Sequence, residues 1–278
     1  MRQIAIPSTV TSIGNYAFNG CSYLTEISIP SSVTSIGKYA FNSCVSLEHI
    51  SLPHLTSITK FAFSRCSKLA QITIPSSVTS IEFYAFNRCS SLAEITFENP
   101  SSLTSIKSYA FFQCSKLLKI KIPPSVTSIG SDAFNRCSEL CDIKILSPIT
   151  SIENEVFILC KSLSRITIPS SVTSIMNYAF CGCSSLTRIT FPSSVTSIGN
   201  YSFSECSKLE QIEFPSSVTS VGEGAFNECI SLTQIVFSAS IKKIEEYTFF
   251  HCSLLKQITI PPSITSIKNY AFSKSKEE

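Results

Sequence analysis

The sequence predicts a repeat solenoid, β-rich with short helical or 3₁₀ turns and about twelve stacked repeats. Three observations carry this expectation. First, a phrase of the form I-P-S-S-V-T-S-I-G-x-Y-A-F-x-x-C-S-x-L-x-x-I recurs, nearly intact, along the 278 residues. Second, its Phe falls at Phe18, Phe41, Phe63, Phe86, Phe111, Phe134, Phe157, Phe180, Phe203, Phe226, Phe249 and Phe272, a spacing of 23 broken by one 22 and one 25. Third, both length changes fall in the Pro-Ser-Ser segment, at Leu52-Pro53-His54-Leu55 and within Phe97 to Leu103, which marks that segment as a surface turn.

Each part of the repeat follows from local chemistry. Leu24-Thr25-Glu26-Ile27-Ser28-Ile29 places apolar and polar residues in alternation and stops at Pro30, which has no N–H for a ladder bond, so it reads as a short strand. Val33-Thr34-Ser35-Ile36 alternates again and is rich in β-branched residues, a second strand. Lys38-Tyr39-Ala40-Phe41 then has the local character of a single helical or 3₁₀ turn. No such unit can bury its apolar side alone, whereas stacked units place Ile on Ile and Phe on Phe. A single domain spanning residues 1–278 is expected.

Composition narrows the function. Hydrophobic residues make up 44% of the chain and charged ones 15%, and 22 basic residues against 19 acidic leave a net charge of +3 that is spread along the sequence. No polybasic arm points to nucleic acid. Ser, Thr, Pro or a charge interrupts every apolar run well before the roughly 18 residues of a membrane span, so no membrane insertion is expected.

Eleven of the 13 cysteines share one column three residues after the Phe, from Cys21 to Cys252, while Ser275 takes that place in the last repeat. Cys packs as a small hydrophobe, and its weak S–H can satisfy a carbonyl at a tight corner, so the column reads as a ladder of free buried thiols. Reduced thiols and the lack of a long apolar N-terminal segment favour an intracellular setting, with the cell surface as the alternative. Cys181-Gly182-Cys183 lacks the second ligand pair of a zinc site, and His251 next to Cys252 would need an exposed thiol to act as a catalytic pair. Phosphate-binding, zinc-protease and serine-hydrolase motifs are all missing. No catalytic residue, metal or cofactor is expected, and the chain is read as a non-enzyme.

The phrase A-F-x-x-C-S-x-L-x-x-I-x-I-P with its preceding V-T-S-I-G resembles the BspA-type leucine-rich repeat family over essentially the whole chain. The resemblance implies a leucine-rich-repeat-like solenoid of parallel strands used for adhesion or protein binding. It implies no particular ligand, because the shared residues are those that build the scaffold. A structural, self-assembling role and a regulatory scaffold in an intracellular complex are the rival readings. No cap is recognisable at either end, so the rungs of Ile4 and Ile6 and of Phe272 are expected either to meet end to end in self-association or to be covered by flanking segments.

In a repeat scaffold, specificity sits in the columns that vary. On the L-x-x-I-x-I strands the residues flanking the first Ile face solvent, and there Lys119, Lys121, Lys144, Arg165 and Arg188 cluster with Asp142 among them. These are the candidate contacts for a protein partner of acidic character, and plain solvated charge is the alternative. A second column, before the ladder Cys, is basic early (Arg65, Arg88, Arg136) and acidic late (Glu205, Glu228). A third runs through Tyr16, Tyr39, Phe61, Tyr84 and Tyr109 and is expected to cover the core.

Overall fold

The computed structural model describes residues 2–256 and 258–274. Met1, Gln257, Ser275, Lys276, Glu277 and Glu278 lie outside the described residues. The chain divides into two compact units, Met1–Ser147 and Pro148–Glu278.

Two series of parallel strands run through the first unit. The longer strands form a sheet of Gln3–Ala5, Glu26–Ser28 and His49–Ile50 and another of Gln71–Ile74, Glu94–Phe97, Lys119–Ile122 and Asp142–Ile145. The shorter ones are Ser-Ile pairs such as Ser57–Ile58, Ser80–Ile81, Ser105–Ile106 and Ser128–Ile129. Register advances by one repeat per strand, with Ile72 beside Ile95 and Ile81 beside Ile106. Between the series the Pro-Ser-Ser segment closes a turn in which the Val33 N–H donates to the Pro30 carbonyl at 3.1 Å. The second unit repeats this plan with Ser151–Ile152, Ser174–Ile175, Ser197–Ile198 and Ser220–Val221 in one sheet and Gln211–Glu213 against Gln234–Val236 in another.

The segment carrying the Phe departs from the expected helical or 3₁₀ turn, and no helix occurs among the described residues. Tyr39 and Ser43 have φ of 59° and 61°, left-handed values that interrupt any helix. Between them the N–H groups alternate in destination. Ala40, Asn42 and Cys44 donate to the carbonyls three residues back, at 3.3, 3.1 and 3.2 Å, whereas Tyr39, Phe41 and Ser43 donate to Lys60, Ala62 and Ser64 of the next repeat, at 3.1, 2.8 and 2.8 Å. A left-handed non-Gly residue costs about 1–2 kcal/mol. The inter-repeat bonds, each worth about 1 kcal/mol net, offset this and pair the N–H groups of Tyr39, Phe41 and Ser43.

The core is a set of columns. In the first unit the rings of Phe41, Phe63, Phe86, Phe111 and Phe134 stack at 5.4 Å between centroids, and all five are fully buried. Phe180, Phe203 and Phe226 stack in the second unit at 5.1 and 5.3 Å. Leu, Val and Ile columns flank them, as at Leu92, Val78 and Ile81, each fully buried. Among the described residues no cysteine is joined in a disulfide. The ladder thiols donate to Phe carbonyls one repeat earlier, as Cys66 to Phe41 at 3.2 Å, Cys89 to Phe63 at 3.1 Å and Cys206 to Phe180 at 3.3 Å. At the terminal rungs Ile4, Ile6 and Phe272 are half-buried.

Candidate functional site

Strand alternation builds the basic face of the first unit. Along Lys119–Ile122 and Asp142–Ile145, Ile120, Ile122 and Ile143 point into the core, so Lys119, Lys121 and Lys144 point to solvent. Parallel register sets Lys119 beside both Glu94 and Asp142, and Lys121 directly opposite Lys144. Lys119 is therefore flanked by opposite charge, while Lys121 and Lys144 repel one another across a strand spacing of about 4.8 Å. Ion pairs form at Lys68–Glu48, 3.5 Å, and Lys116–Glu139, 2.6 Å, whereas none of the three face lysines has an ion-pair partner among the described residues. The arrangement offers two adjacent ammonium groups to a carboxylate or phosphate group of a ligand.

Arg165 and Arg188 belong to the second unit and are exposed there. Arg165 lies in a segment without a strand ladder, and Arg188 forms only an isolated parallel bridge to Gln211. The side-chain alternation survives where the ladder lapses, since Ile166, Ile168 and Ile189 beneath them are buried. Arg188 borders a groove of about 330 Å³ that also involves Gln211, Glu213 and Gln234.

The sequence reading missed a groove of about 390 Å³ in the first unit, bordered by His49, Gln71, Thr73, Glu94, Thr96 and Glu98. Its rim is made by the 25-residue repeat, where the Glu98 carboxylate accepts the Ser76 N–H at 2.9 Å and the Glu98 N–H donates to the Ile74 carbonyl at 3.0 Å. The length change at Phe97 to Leu103 was the signal for it.

Two further columns lie on the Phe turn, both at left-handed φ. Arg65, Arg88 and Arg136 are exposed in the first unit and Glu205 and Glu228 in the second, at φ of 58° to 63°. The aromatic column forms a continuous stack of Tyr16, Tyr39, Phe61, Tyr84 and Tyr109, with centroids 4.6 to 4.8 Å apart. Tyr16 is 57% exposed while Tyr39, Phe61, Tyr84 and Tyr109 are half-buried, so the column seals one edge of the core and leaves ring edges in water. In the second unit it is broken at Gly224, whose φ is 56° and over which the Tyr201 ring lies too close for any Cβ. The Tyr201 hydroxyl donates to the Glu223 carboxylate at 2.8 Å; burial and then this carboxylate push it up to about 12.

The thiols sort by environment. Burial pushes Cys44 and Cys252 up to about 12 and holds Cys66, Cys114 and Cys229 well above the usual range. Cys181 is half-buried and rises to about 11, through burial first and the Glu205 carboxylate second. Cys141 is half-buried, with its thiol 3.4 Å from the Leu118 carbonyl. Cys21, at the first rung, departs from the expected buried ladder and is half-buried, so labelling of the native protein with a thiol reagent near neutral pH is expected to modify Cys141 and Cys21 first and Cys181 more slowly, and to reach the ladder from Cys44 onward only on unfolding. Equal rates at Cys141 and Cys89 would refute this order. Among the described residues no group of three or more His, Cys, Asp or Glu is placed to hold a metal ion, and no helix is long and apolar enough to cross a membrane.

The model of the BspA type leucine rich repeat region matches this chain over residues 1–100, 56–187 and 173–277. Among solved structures, the chain is similar to a leucine-rich repeat protein from Bacteroides ovatus, with 28% identity over 98% of this chain and 72% of that one and a TM-score of 0.73. It is also similar to a leucine rich cell surface protein from Faecalibacterium prausnitzii, with 31% identity over 98% of this chain and 70% of that one and a TM-score of 0.57. A leucine-rich repeat protein from Eubacterium ventriosum shares the fold, at 24% identity over 100% of this chain and 84% of that one with a TM-score of 0.64. No match was found among curated proteins. The repeated phrase, the parallel register, the Phe and Cys columns and the family match over the whole length lead to one conclusion: this chain belongs to the BspA-type leucine-rich repeat family.

Proposed function

We propose that this protein is a non-enzymatic binding module of the adhesion type, which holds an acidic protein partner on the long-sheet face of its first unit. The observation that carries the reading is the register of Lys121 directly opposite Lys144, two exposed like charges with no ion-pair partner among the described residues. Their repulsion is relieved when a carboxylate bridges them, so bound partner and scaffold are stabilised together. Lys119 borders this pair and helps orient the partner, because Glu94 and Asp142 on either side exclude a ligand carboxylate from its flanks. Arg165 and Arg188 are exposed basic residues of the second unit and offer acidic groups contacts there. A ladder of thiols not joined in disulfides supports a reducing compartment.

The test is capture of partners from the native cell by the full chain and by the double variant Lys121→Glu, Lys144→Glu, with bound proteins identified by mass spectrometry. Both positions are exposed on the outer side of their strands, so the fold is expected to persist and binding to fall by about tenfold or more. An unchanged set of partners at unchanged affinity would place the contact elsewhere.

A further inference from the structure

The outer face of the Phe turn changes sign between the two units. In the first unit, the segments running from the residue after each short strand to the ladder Cys hold six basic residues (Lys38, Lys60, Arg65, Arg88, Lys107 and Arg136) against two acidic ones, Glu82 and Asp132. In the second unit the same segments hold seven glutamates, among them Glu205, Glu223, Glu228, Glu245 and Glu246, against Lys268 and Lys274. These segments are thus net +4 in the first unit and net −5 in the second.

The centre of each face is the left-handed column before the ladder Cys. The Arg65 N–H donates to the Asn87 carbonyl, next to Arg88, at 2.7 Å, and the Glu205 N–H donates to the Asn227 carbonyl, next to Glu228, at 2.8 Å. Each pair therefore sits on adjacent turns with one backbone geometry, Arg65 and Arg88 at φ 63° and 58°, Glu205 and Glu228 at 60° and 59°. Like charges stacked at this spacing repel, and no ion pair among the described residues relieves any of these four. The field of the acidic column is felt at Cys181, whose thiol is raised by burial first and then by Glu205, with Glu155 and Glu228 adding to it.

We propose that the chain associates with itself, the basic Phe-turn face of the first unit of one copy docking on the acidic Phe-turn face of the second unit of another. Spacing identifies the partner. Arg65 and Arg88 are one turn apart, as are Glu228 and Glu205, so two such ridges laid side by side bring each guanidinium to a carboxylate without adjustment. A foreign acidic protein would have to reproduce the repeat distance of this solenoid. The surface is separate from Lys121 and Lys144, so this inference stands or falls independently of the binding face on the long sheet.

The experiment is sedimentation velocity on the full chain in about 0.1 M and about 1 M salt, between which the screening length falls from about 10 Å to about 3 Å. Association is expected at low salt, with the association constant reduced about tenfold or more at high salt. Two reversed variants sharpen the test: Arg65→Glu, Arg88→Glu, Arg136→Glu, and Glu205→Arg, Glu228→Arg. The column already accepts both residue types at the same φ, so the swaps fit the backbone. Each variant alone is expected to be a monomer at low salt, and an equimolar mixture of the two is expected to associate again. The variant Lys121→Glu, Lys144→Glu is expected to associate like the unaltered chain. A chain that is monomeric at low salt and high concentration overturns the proposal, as does a reversed variant that still associates alone. Should a reversed variant lose its fold, the salt dependence of the unaltered chain decides the question.

Discussion

Raising the pH from about 8 to about 10 is expected to destabilise both units strongly, because the ladder thiols must stay protonated in the folded state. In the first unit burial pushes Cys44 up to about 12 and holds Cys66, Cys89, Cys114 and Cys137 above the ordinary 9.0. In the second, Cys183, Cys206 and Cys229 are raised in the same way and Cys252 reaches about 12. The folded protein keeps these protons while the unfolded chain releases them near pH 9. The stability they contribute is therefore complete below that pH and is lost as pH rises toward the folded values. One pH unit above the unfolded value, each thiol removes about 1.4 kcal/mol. The five thiols of the first unit together remove about 7 kcal/mol at pH 10, a large share of the roughly 5–15 kcal/mol that holds a domain folded. Thermal unfolding at pH 8, 9 and 10 measures this, and replacing Cys66 and Cys114 with Ala should flatten the decline by about two-fifths in the first unit. A melting temperature unmoved between pH 8 and 10 would contradict the buried, protonated ladder.

Replacing Phe86 with Ala is expected to destabilise the first unit by about 3–5 kcal/mol, measured as a shift of the denaturant midpoint at constant slope. The Phe86 ring is fully buried between Phe63 and Phe111, with centroids 5.4 Å away on both sides and planes inclined by 9° and 3°. Its removal leaves a cavity that neighbouring repeats cannot close, because their own rings are held in register by the inter-repeat bonds of Phe63 to Ala85 and Phe86 to Ala110, at 2.9 and 2.8 Å. Phe83→Ala is the control. That ring is 42% exposed, and its loss should change stability by no more than about 0.5 kcal/mol. Equal effects at the two positions would remove the Phe column from its place at the centre of the core.

The columns themselves were legible in the sequence, since a period written into the covalent chain must reappear as whatever stacks in space. Phe on Phe, the column of thiols behind them, and the outward placement of Lys119, Lys121 and Lys144 all follow from repeat spacing and strand alternation alone. The conformation of the Phe turn did not follow. Tyr-Ala-Phe has ordinary helical compatibility within a short window, and the left-handed φ of Tyr39 and Ser43 is selected by N–H bonds to Lys60 and Ser64, which belong to the next repeat. Register likewise decided which lysines are compensated: Lys119 gains Glu94 and Asp142 as neighbours, whereas Lys121 gains Lys144. The rim of Glu98 over Ser76 and the lapse of the strand ladder at Arg165 also depend on how successive repeats meet. Local periodicity determines which side of the chain a residue faces. Only contacts between residues about one repeat apart determine the backbone that carries it and the charges beside it, because the free energy that favours them is absent from any single repeat.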